Sequence, residues 1–290
     1  MRKSSFLKLI LGVMCTVWMA YSQFPSTPAK LTTQKLADDL YVIHNDIVPG
    51  NTTALVTNEG VVLVDDKFPQ DTDNILAEVK KFTNQPVKYV VNTHHHFDHS
   101  GGNVNLQKLG VQVVSSAQAR GYSNDIKQPG AANIAFEDHM HLYLGGKNVE
   151  LYYFGKAHTG GDIVAYFPAQ RTIAMGDMFT FGDATPQLID YAGGGSAKEW
   201  TGTVGRALQL DFDKVVPGHG LNTTKAELAK FRESTITLRN KVHQMLADGT
   251  AKKTPPPQLR SEIEAMLRKD FHFGDLHIGA SLDGMMTELR

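Results

Sequence analysis

Residues 89–102 read YVVNTHHHFDHSGG, and this stretch decides the fold. Its apolar start is typical of a buried strand, and the pattern H-x-H-x-D-H follows over residues 94–99. Imidazole and carboxylate groups suit zinc, and two histidines with one carboxylate also suit iron or manganese. A surface histidine patch is the alternative. The strand before the cluster and the glycines after it favour a metal site at a strand end.

The composition is that of an ordinary globular chain. Of its 290 residues, 41% are hydrophobic and 20% are charged, which suits one large domain or two modest ones. The basic residues at positions 2, 3 and 8 lie in a predicted leader, and without them the protein is mildly acidic. The sequence has no basic stripe with interleaved aromatic residues, so we expect no nucleic-acid partner.

The first 22 residues predict a secretory signal peptide. Basic residues precede or flank a short apolar run over residues 6–20, and Ala20-Tyr21-Ser22 offers a small-x-small cleavage site. A retained membrane anchor is the alternative, but the run is short for a span. We expect export, to the periplasm or by secretion, with no stable membrane anchor afterwards. Cys15, the one cysteine, leaves with the signal, so nitrogen and oxygen must hold any metal.

The remaining sequence predicts one domain with appendages. Residues 23–35 lack periodicity and predict a linker, residues 36–249 predict the domain, and residues 250–290 predict a helical tail packed on it. Strand and helix patterns interleave in two similar halves of the domain, which favours two packed sheets with helices outside. The predicted strands are 40–43, 53–57, 61–65, 88–92, 111–114, 149–154, 162–167, 171–175 and 214–216, and the predicted helices are 71–82, 102–109, 197–210 and 225–246.

Three more candidate ligands follow predicted strands, each beside glycine. They are His158, Asp177 and His219. Alone, a histidine or aspartate in such a turn is more often solvated or capping. Strand ends are where open sheets place their sites, so these residues and the cluster at 94–99 together predict one centre with seven ligands.

The order and local patterns of these motifs resemble the metallo-β-lactamase-fold hydrolase superfamily over residues 36–246. The resemblance implies an α+β fold, a four-layer αββα sandwich with two metals between two β-sheets. The expected cofactors are two Zn²⁺, with iron or manganese as alternatives. By this resemblance His94, His96 and His158 bind the first metal, Asp98, His99 and His219 bind the second, Asp177 bridges both, and Asp65 supports the histidine loop from behind.

The resemblance also implies the chemistry. Two zinc ions about 3.5–4 Å apart share a hydroxide, which attacks the carbonyl carbon of a small-molecule substrate. Asp98 orients that hydroxide and is the expected catalytic residue. The predicted reaction is hydrolysis of a carbonyl compound, and a cyclic amide of the β-lactam type is the favoured substrate.

Other substrates stay open within this resemblance. The branch of β-lactamases with a cysteine ligand is excluded, because the mature chain has no cysteine. A bridging aspartate such as Asp177 is more typical of lactonases and thioester hydrolases. No lysine follows Asp177 until Lys198, which weakens the β-lactam interpretation. The glycine-rich turn at His158 and the secretory signal favour it.

Two other classes of protein are alternatives. A mononuclear iron oxygenase on the same fold would use His94, His96 and His158 or a related triad. Seven ligands argue against it, since one iron needs fewer. A non-catalytic metal-binding or partner-binding protein is disfavoured, because these ligands leave an open coordination position.

Two loops are expected to select the substrate. One spans residues 48–52 and carries Asn51, and the other spans residues 179–195 and carries Asp190 and Tyr191. The glycines at 193–195 suit a mobile lid, and an ordinary long surface loop fits the pattern equally well.

Three further histidines lie outside the predicted ligand set. His95 alternates out of the H-x-H face, so we expect it to point away from the metals. His139 and His141 form a second H-x-H, but a metal site needs a full ligand set. A surface or strand role is therefore favoured for them.

Overall fold

The computed structural model describes residues 27–45, 48–182 and 188–290. The predicted signal peptide and the first residues of the predicted linker lie outside these ranges. Within the ranges, no helix is both long and apolar enough to cross a membrane.

The first β-sheet has seven strands. In chain order they are β1 Thr32–Lys35, β2 Leu40–His44, β3 Thr52–Val56, β4 Val61–Val64, β5 Val87–Val91, β6 Gln112–Ser116 and β7 Ile134–Phe136. They lie side by side in this same order. Strands β1 to β4 pair antiparallel, and β4 to β7 pair parallel.

The second sheet has six strands. They are β8 His139–Leu144, β9 Lys147–Tyr152, β10 Val164–Phe167, β11 Thr172–Ala174, β12 Lys214–Val216 and β13 Thr223–Thr224. Their order across the sheet is β13-β12-β11-β10-β9-β8. The pair β11–β12 is parallel and the other pairs are antiparallel.

Helices cover the outer faces of the sheets. They are α1 Thr72–Lys80, α2 Phe97–Ser100, α3 Asn103–Lys108, α4 Ala117–Asp125, α5 Ala197–Ala207, α6 Lys225–Ala251, α7 Pro256–Phe271 and α8 Asp275–Glu288. Three of these helices, α4, α5 and α6, have a hydroxyl side chain as their N-cap. The side chains of Ser116, Ser196 and Thr224 each accept a hydrogen bond from the backbone amide of the third residue of the helix. Such caps satisfy amides that a helix leaves unpaired at its start.

The side chains of β4 alternate between the two faces of the first sheet. Successive strand side chains point to opposite faces. Val61 and Leu63 pack outward with Ile75 of α1, whereas Val62 and Val64 face the second sheet. Both faces of this strand are therefore buried, which explains its unbroken apolar sequence.

Strand β10 alternates in the same way in the second sheet. Ala165 and Phe167 face the first sheet, and Val164 and Tyr166 pack outward with Trp200 of α5. The order of layers is therefore helix, sheet, sheet, helix. This confirms the predicted αββα sandwich.

Parallel pairs bring four strand ends to one edge of the sandwich. Strands β4 and β5 run parallel in the first sheet, and β11 and β12 do so in the second. Two backbone hydrogen bonds join the sheets there: Ile163 N donates to Thr93 O at 2.8 Å, and Asn51 N donates to Gly218 O at 2.7 Å. Side chains that follow these strands can therefore meet between the sheets.

The predicted linker at 23–35 is wrong for its last four residues. Thr32–Lys35 forms β1, which pairs along its whole length with β2. As an edge strand it is largely exposed, so it lacks the apolar alternation by which a strand is recognised in sequence.

The segment 250–290 forms two helices that contribute to the core. Leu259 and Ile263 of α7 and Leu282 and Met285 of α8 lie in one buried cluster with Trp200 of α5. Helix α6 also continues to Ala251, past the expected boundary at residue 249. These helices pack as part of the second outer layer.

We expect Leu282→Ala to lower the free energy of unfolding by about 2–5 kcal/mol, because it removes a fully buried side chain from this cluster. Leu276→Ala in the same helix is the control, since Leu276 is 74% exposed. Urea unfolding followed by circular dichroism measures both. Equal midpoints for the two variants would show that α8 lies outside the cooperative core.

Candidate metal centre

The seven predicted ligands converge where the four strands end. After β5 the chain continues to His94 and His96, and α2 adds Asp98 and His99. Each of the remaining three comes from a turn at this edge. His158 precedes β10, Asp177 lies in a short 3₁₀ turn after β11, and His219 follows β12.

The first ligand group consists of His94, His96 and His158, with Asp177 beside them. One donor atom from each lies within 4.8 Å of the others. His158 Nε2 is 2.9 Å from His96 Nδ1 and 3.6 Å from Asp177 Oδ2. His94 Nε2 is buried and has no hydrogen-bond partner among the described residues.

Hydrogen bonds on the outward ring nitrogens set the tautomers of this group. Thr93 Oγ1 donates to Asp65, so it accepts from His94 Nδ1 at 3.1 Å. His158 Nδ1 donates to the carbonyl of Leu188 at 2.8 Å.

The outward nitrogen of His96 is held in the same way, since His96 Nε2 donates to Asp190 Oδ2 at 2.8 Å. When the three rings are neutral, each inward nitrogen of the first ligand group carries a lone pair. Lone pairs that face one another at hydrogen-bond distance need a cation between them, so the residues fit a metal ion.

The second ligand group consists of Asp98, His99 and His219, whose donor atoms also lie within 4.8 Å of one another. His99 Nε2 is 3.2 Å from His219 Nε2, and Asp98 Oδ2 is 3.3 Å from His219 Nε2. Two imidazoles and a carboxylate in this arrangement suit a second divalent ion.

Asp177 lies between the two groups. Its Oδ2 faces His158 in the first group, and its Oδ1 is 3.2 Å from His99 Nε2 in the second. Gly218 packs directly on this carboxylate, because a Cβ at position 218 would lie 2.0 Å from Asp177 Oδ1. One carboxylate is therefore placed to contribute an oxygen to each of two ions.

Asp65 links the two groups from behind. Its Oδ1 accepts from Thr93 N at 2.7 Å, and its Oδ2 accepts from Thr93 Oγ1 and from His99 Nδ1, both at 2.8 Å. Its backbone has a positive φ of 62°, which few non-glycine residues adopt. The geometry is that of the expected supporting residue: through Thr93 it orients His94, and directly it orients His99.

The histidine pKa values differ between the two groups. Burial and the nearby His96 charge lower the pKa of His158 to about 4. Burial also acts on His99 and His219, but the carboxylates of Asp177 and Asp98 outweigh it. They raise the pKa of His219 to about 10 and that of His99 well above its usual value. In the metal-free protein, protons therefore balance the carboxylates of the second group.

We expect metal binding at pH 7 to release protons chiefly from the second ligand group. Since the pKa of His219 lies above pH 7, this histidine must lose a proton to bind a metal, whereas His158 is already neutral. Zinc titration calorimetry in buffers of different ionisation enthalpy counts the protons. His219→Ala should release fewer protons, by at least about one, because it lacks the His219 proton and binds the second ion more weakly; His139→Ala is the matched control. Equal release from wild type and His219→Ala would contradict this assignment.

Asp190, predicted to contact substrate, instead binds His96. The carboxylate accepts from Gly193 N at 3.0 Å as well as from His96. His95 lies beside the pair, and its ring stacks on Tyr122 with 5.2 Å between centroids. His95, His96 and Asp190 form a third cluster of possible donors. In it the carboxylate serves the outward nitrogen of His96.

We expect Asp190→Ala to weaken the first metal about 10–100-fold, since partners of metal-bound histidines typically contribute that much to affinity. Asp138→Ala is the control, because Asp138 is exposed and distant in sequence from every ligand. Competition with a chromophoric chelator gives the affinity. An unchanged dissociation constant in Asp190→Ala would show that His96 needs no orienting carboxylate.

The structure does not support a substrate-contacting role for Asn51 or Tyr191. Asn51 is buried, its Oδ1 pairs with His44 Nδ1 at 3.0 Å, and its Nδ2 donates to the carbonyls of Pro217 and Gly220. It therefore fastens the turn that carries His219. The Tyr191 hydroxyl donates to Glu288 at 2.7 Å, so this side chain is directed to α8. Both engage protein partners, a fact that loop composition does not reveal.

The part of the 179–195 loop that follows the undescribed residues 183–187 is tied to the His158 turn. Asp190 N donates to His158 O at 2.9 Å, and Gly160 N donates to Gly193 O at 2.8 Å. Residues 188–195 are therefore a fixed wall of the first ligand group. His139 and His141 lie apart from the centre, exposed on β8.

Two contributors were missed in the sequence. Thr93 connects Asp65 to His94, because its hydroxyl is hydrogen-bonded to both side chains. In the sequence, the position of Thr93 directly before the histidine cluster is the signal that could have identified it. Lys67 is fully buried near the second group. Burial lowers its pKa to about 7, although the charges of Asp71 and Asp65 act against that change. A lysine three residues after a buried strand carries no recognisable pattern.

Comparisons with known proteins agree with this geometry. The family model of the metallo-beta-lactamase superfamily matches residues 45–219. A metallo-beta-lactamase type 2 of Elizabethkingia meningoseptica is 27% identical over 229 residues, covering 76% of this chain and 89% of that protein. One of Bacillus cereus is 27% identical over 191 residues, covering 63% and 71%. A solved metallo-beta-lactamase structure from Pontibacter korlensis gives a TM-score of 0.64 at 26% identity, covering 71% and 99%.

The family match extends over more than half of the chain and includes all seven ligand positions. The chain therefore belongs to the metallo-beta-lactamase superfamily. With its clustered histidines and aspartates, it is a metal-dependent hydrolase.

Proposed function

We propose that this protein is an exported dinuclear zinc hydrolase that attacks a carbonyl carbon, with a cyclic amide of the β-lactam type as its substrate. The observation that carries the proposal is the position of Asp177, whose two oxygens face two separate ligand groups. A mononuclear site would use one of these groups and leave the other buried without a function.

Zinc fits the donors. The seven side chains offer five imidazoles and two carboxylates, a set of borderline and hard donors that binds zinc well and also accepts iron or manganese. Bound zinc supplies a Lewis acid that polarises a carbonyl and lowers the pKa of water so that hydroxide forms near neutral pH.

Asp98 is placed to orient the attacking water. Its side chain is 20% exposed, more than that of Asp177 or His219, so it reaches the open side of the centre. Burial opposes its ionisation, but the charges of His99 and His219 hold the pKa of Asp98 well below its usual range. An ionised carboxylate accepts a hydrogen bond from water and fixes the direction of its lone pair.

The rest of the chain holds these groups in place. Asp65 and Asp190 fix the rings of His99 and His96, and the carbonyl of Leu188 fixes the ring of His158. Because each ring is bound at its outward nitrogen, the ligands are oriented before any metal or substrate enters. Such preorganisation lowers the cost of reaching the transition state.

The β-lactam assignment is supported by relatives whose names are metallo-beta-lactamase type 2. A lactone or another ester or thioester is the second candidate. It is favoured by the bridging position of Asp177 and by the lack of a lysine between Asp177 and Lys198 in the sequence that could hold a substrate carboxylate. Export rests on the leader-like residues 1–22.

We expect purified protein to contain two zinc ions per chain and to hydrolyse a chromogenic β-lactam faster than a homoserine-type lactone, a thioester or a phosphodiester. Chelation should abolish activity and zinc should restore it. His96→Ala should lower kcat/KM by at least about 100-fold, because it removes a ligand of the first group. His139→Ala should retain activity, since His139 is exposed on β8.

Other results of this experiment would change the assignment. Activity that survives chelation or His96→Ala would contradict metal-dependent hydrolysis at this centre. Faster turnover of the lactone would replace the β-lactam assignment with lactonase activity. One iron per chain with oxygen-dependent turnover would identify an oxygenase, and a metal-saturated protein inert towards the whole panel would indicate a binding protein.

A further inference from the structure

Lys67 is a buried cation beside the second ligand group. It is 0% exposed and is among the largest fully buried side chains. It lies three residues after the end of β4, and its backbone has a positive φ of 61°. A lysine rarely occupies such a position unless its ammonium group is paired, because burial of an unpaired charge is costly.

The side-chain nitrogen of Lys67 holds two described residues of the loop between β2 and β3, Asn45 and Gly50. Lys67 Nζ donates to the carbonyl of Gly50 and, at 2.6 Å, to Asn45 Oδ1. Asn45 in turn donates from Nδ2 to the carbonyl of Pro49 at 2.6 Å. Asn45 and Gly50 are therefore fastened to one nitrogen. Bonds from a charged donor are stronger than neutral ones.

Gly50 touches the second ligand group directly. Its amide donates to the carbonyl of Asp98 at 3.1 Å. A Cβ at position 50 would lie 2.2 Å from the Cε1 atom of His99, so the backbone of the loop packs flat against that ring. The loop thereby sets where the ring of His99 can lie.

Asn51, the next residue, contacts the turn that carries His219, the third ligand of the second group. Asn51 N donates to Gly218 O at 2.7 Å, and the Asn51 side chain binds the carbonyls of Pro217 and Gly220. These residues flank His219. Each of these loop contacts therefore falls on a segment that carries a ligand of the second group.

We propose that Lys67 is a positioning residue for the second metal. It anchors the loop between β2 and β3 at Asn45 and Gly50, and Gly50 and Asn51 in turn hold the segments that carry Asp98, His99 and His219. The inference rests on the proposed dinuclear centre. The inference predicts that loss of Lys67 weakens binding of the second metal and not of the first. The first ligand group is oriented by Thr93, Leu188 and Asp190 and does not depend on this loop.

Lys67→Met tests the proposal, because methionine keeps an unbranched apolar chain and removes the charged donor. Zinc titration against a chromophoric chelator and native mass spectrometry report affinity and stoichiometry independently of activity. We expect wild type to bind two ions, and Lys67→Met to keep the first while binding the second at least about 10-fold more weakly. The matched control is Lys80→Met, which removes an exposed lysine from α1.

Two reference variants identify which ion is weakened. His219→Ala removes a ligand of the second group and His158→Ala removes one of the first, so Lys67→Met should reproduce the binding pattern of His219→Ala.

Asn45→Ala is a milder variant that removes one of the two acceptors of Lys67 Nζ. It should weaken the second ion in the same direction by a smaller factor, and it supplies the test if Lys67→Met fails to fold.

The outcomes distinguish failure of the proposed dinuclear function from failure of the proposed role of Lys67. If wild type binds only one ion, the dinuclear function itself is wrong. If wild type binds two ions and Lys67→Met or Asn45→Ala binds both with wild-type affinities, the role of Lys67 is overturned. Equal weakening of both ions would also overturn it, since that result describes general loosening of the fold.

Discussion

A buried imidazole presents a lone pair to a metal only when its other nitrogen has a hydrogen-bond acceptor to hold the proton. This requirement determines much of the architecture around the centre. Acceptors of different kinds serve His94, His99, His96 and His158: the hydroxyl of Thr93, the carboxylates of Asp65 and Asp190, and the carbonyl of Leu188. Moving any of these acceptors would turn a ring or change its tautomer.

The sandwich supplies these acceptors because parallel strand pairs occur within largely antiparallel sheets. Parallel β4 and β5 place Asp65 beside the loop that carries the histidine cluster, and parallel β11 and β12 place Asp177 beside the turn of His219. The two sheets then face each other across a shared apolar core. The position of Asp177 between the two ligand groups thus results from two strand pairs that end at one edge.

The candidate ligands lie in local sequence patterns, but the residues that support them do not. The ligand motifs follow predicted strands and contain or adjoin glycine. The support of His96 comes from Asp190, 94 residues away, and Lys67 acts on a loop 17 residues away. Such pairings depend on tertiary packing and leave no periodicity. The same reason explains why exposed β1 shows no strand pattern and why the sequence does not reveal the protein partners of Asn51 and Tyr191.

Helix α8 contacts the segment that carries Asp190. Glu288 of α8 accepts hydrogen bonds from the side chains of Tyr191 and Ser196. Ser281 of α8 accepts one from Ile189 N at 3.0 Å. Helix α8 therefore binds residues on both sides of Asp190 in the sequence. Without α8 these contacts are absent, whereas the hydrogen bonds that join this segment to the His158 turn remain. Packing of α8 in the second outer layer and placement of Asp190 beside His96 are therefore coupled, so a change that loosens this helix also reaches the metal centre.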